Sequence, residues 1–135
     1  MYISETSIRV RYGETDQMGY VYYGHYAMYY EVARVESLRQ LGLTYKEIEE
    51  MGVMMPVLEN RSKYLAPARY DDLLRIVTTL REKPGVKIKF EYEIFNDENK
   101  LIHQGETVLV FMNKLTNRPC RQPAAMEKAL ERFFG

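Results

Sequence analysis

Arg11–Gly42 reads RYGETDQMGYVYYGHYAMYYEVARVESLRQLG. Gly13–Gly19 is turn-like, with two glycines and an aspartate in seven residues. From there the chain runs through tyrosines into a helical pattern. Tyr26, Tyr29, Tyr30, Ala33, Ser37 and Leu41 recur at steps of three or four, which predicts a helix over Gly24–Leu41. Met28, Val32 and Val35 form a second apolar row. A helix apolar on more than one side belongs in an interior rather than on a surface. Glu31 with Arg34, and Glu36 with Arg39, lie three apart and can pair where the helix meets water. Gly42 is placed to end it. Asp16 sits just ahead of the entrance. On residue type alone it fits a turn or Asx-type cap, since aspartate favours such places.

Working outward, Ile8 and Val10 alternate with Arg9 and Arg11, which predicts a strand within Met1–Tyr12. Downstream, Thr44 and Glu47 have capping-box spacing and Gly52 closes a short second helix. Val53–Ala68 reads as a long irregular strand interrupted by Pro56 and stopped by Pro67, and Leu73–Leu80 as another. In VKIKFEYEIF, Val86, Ile88, Phe90, Tyr92 and Ile94 face one way, while Lys87, Lys89, Glu91 and Glu93 face the other. Asn96–Lys100 is a hairpin turn, Ile102–Asn113 the return strand, and Pro123 can open a last helix through Phe133. A sheet with one wet face must cover the other, and the long tyrosine-lined helix is the best single cover. The expected fold is α+β, one domain over residues 1–135, with an antiparallel sheet wrapped around one central helix.

Bulk properties exclude several functions. Lys+Arg and Asp+Glu both number 19, so the formal charge is zero and no general nucleic-acid binder is indicated. No apolar run approaches the roughly 20 residues of a membrane span. The N-terminus has no signal-peptide pattern, and Cys120 stands alone, which together suit a cytoplasmic protein. His25, His103 and Cys120 give no metal-ligand spacing, no base is evident beside Cys120, and no cofactor is implied.

The signature YGETDQMGYVYYGHYAMYYEVAR resembles the 4-hydroxybenzoyl-CoA thioesterase-like family of hotdog-fold acyl-CoA thioesterases. Thr15-Asp16, Gly19, Val21-Tyr22-Tyr23, Tyr26 and the Glu31/Arg34 pair carry the likeness. YLAPARYDDLL (Tyr64–Leu74) supports it, and the order of elements agrees over nearly the whole chain.

The resemblance implies hydrolysis of an acyl-CoA or acyl-carrier-protein thioester by one carboxylate, Asp16, as nucleophile or general base. The carbonyl would be polarised by backbone N–H near Tyr23 and Gly24, where a helix start offers unpaired donors and partial positive charge. Tyr23 stands where many bacterial members have histidine, while hydroxybenzoyl-CoA enzymes have tyrosine, which bears on substrate class. His25 is not at that position. Tyr22 lies near the site. Arg61, Lys63, Lys87 and Lys89 are candidates for the phosphates of CoA, against the plainer reading of surface charges. Hotdog domains pair edge to edge, so a homodimer or homotetramer is expected. The rival functions are a non-catalytic acyl-thioester-binding module, which needs no carboxylate at the helix entrance, and a dehydratase, which would carry a site histidine with a separate acid, a pattern that the sequence around His25 does not resemble.

Overall fold

The computed structural model describes residues 1–135. Its strands are β1 (Tyr2–Arg9), β2 (Val53–Met54), β3 (Val57–Tyr64), β4 (Leu73–Leu80), β5 (Lys87–Phe95), β6 (Leu101–Val110) and β7 (Met112–Asn113). Its helices are α1 (Tyr26–Gln40), α2 (Tyr45–Glu50) and α3 (Ala124–Phe134). Short 3₁₀ turns at Tyr12–Glu14 and Tyr23–His25 flank the segment that leads into α1. The predicted strand over Val53–Ala68 is split. Met55-Pro56 breaks it, so β2 pairs with β7 while β3 joins the main sheet.

The five long strands form one antiparallel sheet in the order β1-β4-β5-β6-β3. Period-two alternation buries Ile88, Phe90, Tyr92 and Ile94 of β5 and Leu74, Ile76 and Leu80 of β4. Against that face lies α1, burying Tyr26, Tyr29, Tyr30, Ala33 and Leu38. The ring of Tyr30 stacks flat on Tyr92, with centroids 4.4 Å apart. Such a pair adds about 1 kcal/mol beyond its area. Gly105 of β6 makes this possible, because a β-carbon there would overlap the Tyr30 hydroxyl.

Chain punctuation follows the expected chemistry. Gly42 (φ +86°) and Gly52 (φ +83°) close α1 and α2 in the left-handed region. Thr44 Oγ1 accepts the Glu47 N–H at 3.1 Å. Asn96 Oδ1 accepts the N–H groups of Glu98 and Lys100, both at 3.0 Å, to fold the β5–β6 turn. The last helix starts one residue later than expected, with Pro123 as its N-cap.

Two expectations about α1 are corrected. Glu36 and Arg39 do pair, at 3.2 Å, but Glu31 and Arg34 do not. Arg34 is 6% exposed and its Nε donates to Tyr45 Oη at 3.1 Å, because α2 folds over that side of the helix. The second apolar row is only half covered, with Val32 39% exposed, because the sheet reaches α1 from one side only.

The two edges of the sheet differ. On β1, Tyr2 and Ser4 are buried; Tyr2 packs against Phe133 of α3 and donates to Ser37 O of α1 at 2.6 Å. On β3, all eight residues are exposed, Leu58 and Tyr64 among them.

Candidate active site

The segment ahead of α1 is folded by its own side chains. Asp16 Oδ1 accepts the N–H of Met18 at 2.9 Å and of Tyr20 at 3.2 Å, an Asx-type turn. Gly19 takes φ +80° and donates to Asp16 O at 2.9 Å, which closes the turn. Asp16 therefore has the capping role that its residue type suggests. Both bonds go to Oδ1, which leaves Oδ2 uncommitted on a half-buried side chain. One oxygen holds the loop; the other makes no hydrogen bond.

Beyond this turn the chain doubles back through a Thr15–Val21 bridge and enters the Tyr23–His25 turn. The Tyr22 N–H is donated to Glu14 O and the His25 N–H to Tyr22 O, both at 2.9 Å. Tyr23 and Gly24 come between them and open the turn, where N–H groups have no acceptor within the turn itself. The Tyr22 ring folds over Gly24 and leans on Tyr23, with ring centroids 4.3 Å apart. A β-carbon on Gly24 would stand 2.7 Å from Tyr22 Cε2, so only glycine lets that ring lie so close to the backbone. Tyr22 and Tyr23 are 42% and 64% exposed.

The segments Gly13–Gly24 and Tyr64–Leu74 meet here. Val21 N–H donates to Ala68 O at 2.8 Å, Tyr20 bridges Arg69, and the Arg69 guanidinium lies over the Tyr20 ring at 4.9 Å. Beneath the entrance, Tyr26 stacks on His103, which is fully buried on β6. His103 Nε2 is hydrogen-bonded to Tyr30 Oη, and Tyr30 Oη to Ser62 Oγ of β3 at 2.6 Å. Nδ1 of the same ring has no partner. Burial lowers the pKa of His103 to about 4, and that of Tyr26 is pushed up to about 12 by burial and then by Tyr64 and Asp72.

Of the residues expected at the site, Asp16, Tyr22, Tyr23 and Gly24 fall in one connected segment. The four cations do not join them. Arg61 and Lys63 on β3, and Lys87 and Lys89 on β5, occupy the strand positions that alternate with the helix-facing ones, so they lie on the opposite face of the sheet. There Arg61 and Lys63 line an open cleft of about 550 Å³. Arg61 pairs with Glu59 at 3.1 Å and Glu106 at 3.5 Å, and Lys89 with Glu106 at 3.3 Å. An apolar cavity of about 440 Å³, lined by Tyr45, Ile48, Met54, Met55 and Met112, lies between α2 and the β2–β7 pair.

Sequence reasoning passed over Glu14. It is 4% exposed, and its Oε1 accepts from Tyr29 Oη and the Arg11 N–H, both at 2.9 Å. Its Oε2 meets Arg11 Nε at 3.0 Å and Nη2 at 2.9 Å. Burial opposes ionisation, but the Arg11 N–H, the Tyr29 hydroxyl and the Arg11 guanidinium together hold its pKa below the usual range. A signal was present, since Tyr29 is a polar ring on the buried stripe of α1 and needs a partner.

The sequence profile of the Thioesterase-like superfamily matches residues 10–130. The chain is 36% identical over 128 residues to the acyl-CoA thioesterase YbgC of Haemophilus influenzae, covering 94% of this chain and 90% of that one. It is 32% identical over 119 residues to the putative acyl-CoA thioesterase YneP of Bacillus subtilis, covering 88% and 86%. A solved DHNA-CoA thioesterase from Staphylococcus aureus superimposes with a TM-score of 0.93 at 31% identity, covering 98% and 91%. With its helix-wrapped antiparallel sheet, the chain belongs to the thioesterase-like superfamily and is a thioester hydrolase of the hotdog fold.

Proposed function

We propose that the protein hydrolyses acyl-CoA thioesters with Asp16 as its reacting carboxylate and the N–H groups of Tyr23 and Gly24 as the oxyanion donors. One observation carries this reading. Asp16 is held by one oxygen and offers the other, in the segment that leads directly to two open N–H groups at a helix entrance. Donors fixed in advance at the place where an oxyanion forms stabilise the transition state by several kcal/mol. With Asp16 as base, it takes a proton from water as the water oxygen bonds to the acyl carbon. The C–S bond then breaks, and the proton passes to the departing thiolate. With Asp16 as nucleophile, a mixed anhydride forms, the thiolate leaves, and water then cleaves the anhydride. The acyl-carrier-protein thioester presents the same linkage and enters the same scheme. Asp16→Asn keeps the shape and the Oδ1 bonds but cannot attack or take a proton effectively. Its kcat should fall ~10²–10⁴-fold while the fold and ligand binding persist. Near-parental kcat in the folded variant would return Asp16 to turn capping alone. Single turnover in ¹⁸O-water separates the routes, since only a nucleophilic Asp16 takes label into its own side chain.

We infer further that two copies pair through β3. Every residue of this edge strand is exposed, whereas the edge at β1 is covered by α3 and α1. A bare edge carrying apolar groups is a template for another strand, and two-fold pairing satisfies it.

A further inference from the structure

We propose that Glu14 is a positioning residue for the reaction, its buried carboxylate fixing, through Tyr29, the loop of Asp16 against the first turn of α1. This rests on the reading of Asp16 above. The geometry gives Glu14 three holds on the site. Its side chain reaches across to α1 and accepts the Tyr29 hydroxyl at 2.9 Å, one helical turn after Tyr26. Its carbonyl oxygen takes the Tyr22 N–H at 2.9 Å, which places the residue directly before the open donors of Tyr23 and Gly24. Along the chain it stands two residues before Asp16. The carboxylate loop and the oxyanion donors are thus tied to one anchor.

Glu14 is not itself available to attack. Oε1 serves two donors and Oε2 two guanidinium nitrogens, at 4% exposure, so neither oxygen is offered to solvent or substrate. Tyr29 is 1% exposed, and its only hydroxyl bond is to Glu14. Loss of that bond leaves the loop attached through Arg11, its own turn and the Tyr22 N–H to Glu14 O bond, but removes its direct side-chain tie to α1. Reacting groups displaced by about 1 Å can lose a hundredfold in rate, far more than the same slack costs a scaffold contact.

The test compares Tyr29→Phe, Glu14→Gln and their double mutant with the parent, all at a temperature where each is folded by circular dichroism. The expected result is a ~10-fold or greater fall in kcat for Tyr29→Phe with KM within about threefold. Glu14→Gln should fall at least as far, and the double mutant no further than Glu14→Gln, because both changes act through one bond. Parental kcat per folded molecule in the single variants would overturn the proposal, as would independent, multiplicative losses in the double mutant. If Glu14→Gln does not fold, Tyr29→Phe decides alone, since it removes a single hydroxyl. Asp16→Asn in the same assay separates the two readings. An inactive Asp16→Asn beside a fully active Tyr29→Phe sinks the positioning role only, whereas an active Asp16→Asn sinks the reading on which it rests.

Discussion

The ring of Tyr26 lies flat on that of His103, with centroids 4.0 Å apart and planes 3° from parallel. The first residue of α1 is therefore seated on a buried histidine of the sheet. Protonating that histidine would place a charge in an apolar interior with Nδ1 unpartnered.

Stability should consequently fall in mild acid. The pKa of His103 is lowered by burial from 6.5 to about 4, so below pH 6.5 the unfolded chain binds a proton that the folded one refuses. The contribution is fully present above pH 6.5 and is lost as pH falls toward about 4, on the order of 3 kcal/mol in all. Urea midpoints of the parent should drop between pH 7 and 5, and His103→Gln should flatten that drop. Equal slopes would show that His103 is not the group responsible.

Gly24→Ala should disturb the site without unfolding the protein. Its new methyl must push the Tyr22 ring aside from a 2.7 Å approach, and an exposed ring can give way. We expect a melting temperature within a few degrees of the parent and a ~10-fold or greater loss of kcat, because the shift falls beside the proposed oxyanion donors. Tyr22→Ala in the same background should recover part of the rate.

His25 and Cys120 have no part in the scheme. His25→Ala and Cys120→Ser should each keep turnover within about tenfold of the parent, roughly 1.4 kcal/mol in the barrier. A collapse of kcat in folded His25→Ala would show that the base has been misplaced.

Leu58→Lys should separate the copies if β3 is the shared edge. Leu58 is 54% exposed in the isolated chain, and a lysine there would be brought against a second copy. Sedimentation should give a dimer or larger assembly for the parent at micromolar concentration and a monomer for the variant. A monomeric parent would remove the pairing.

Much of this architecture was legible because its signals are local and periodic. The alternation in Lys87–Ile94 and the three-and-four spacing from Tyr26 to Leu41 each bury one face, and a segment's neighbours suffice to show it. The same alternation already placed Lys87 and Lys89 opposite Ile88 and Phe90, so their distance from the helix entrance was readable. The partners of Glu14 and Arg34 were not. Arg34 reads as a water-facing charge and Glu14 carries no pattern of its own; only the folding of Arg11 and Tyr29 around Glu14, and of α2 over Arg34, removes them from water. The position of β3 at the sheet edge, beside β6, was also hidden, because strand order is decided by contacts far apart in the chain.

The space that Gly105 leaves for Tyr30 makes a single heritable unit of two positions 75 residues apart. A side chain at 105 needs a smaller one at 30, and a smaller one at 30 strips His103 and Ser62 of their shared hydroxyl. Homologous chains should therefore vary these four positions together or not at all. Any lineage that fills position 105 should be found to have rebuilt the polar group under its central helix.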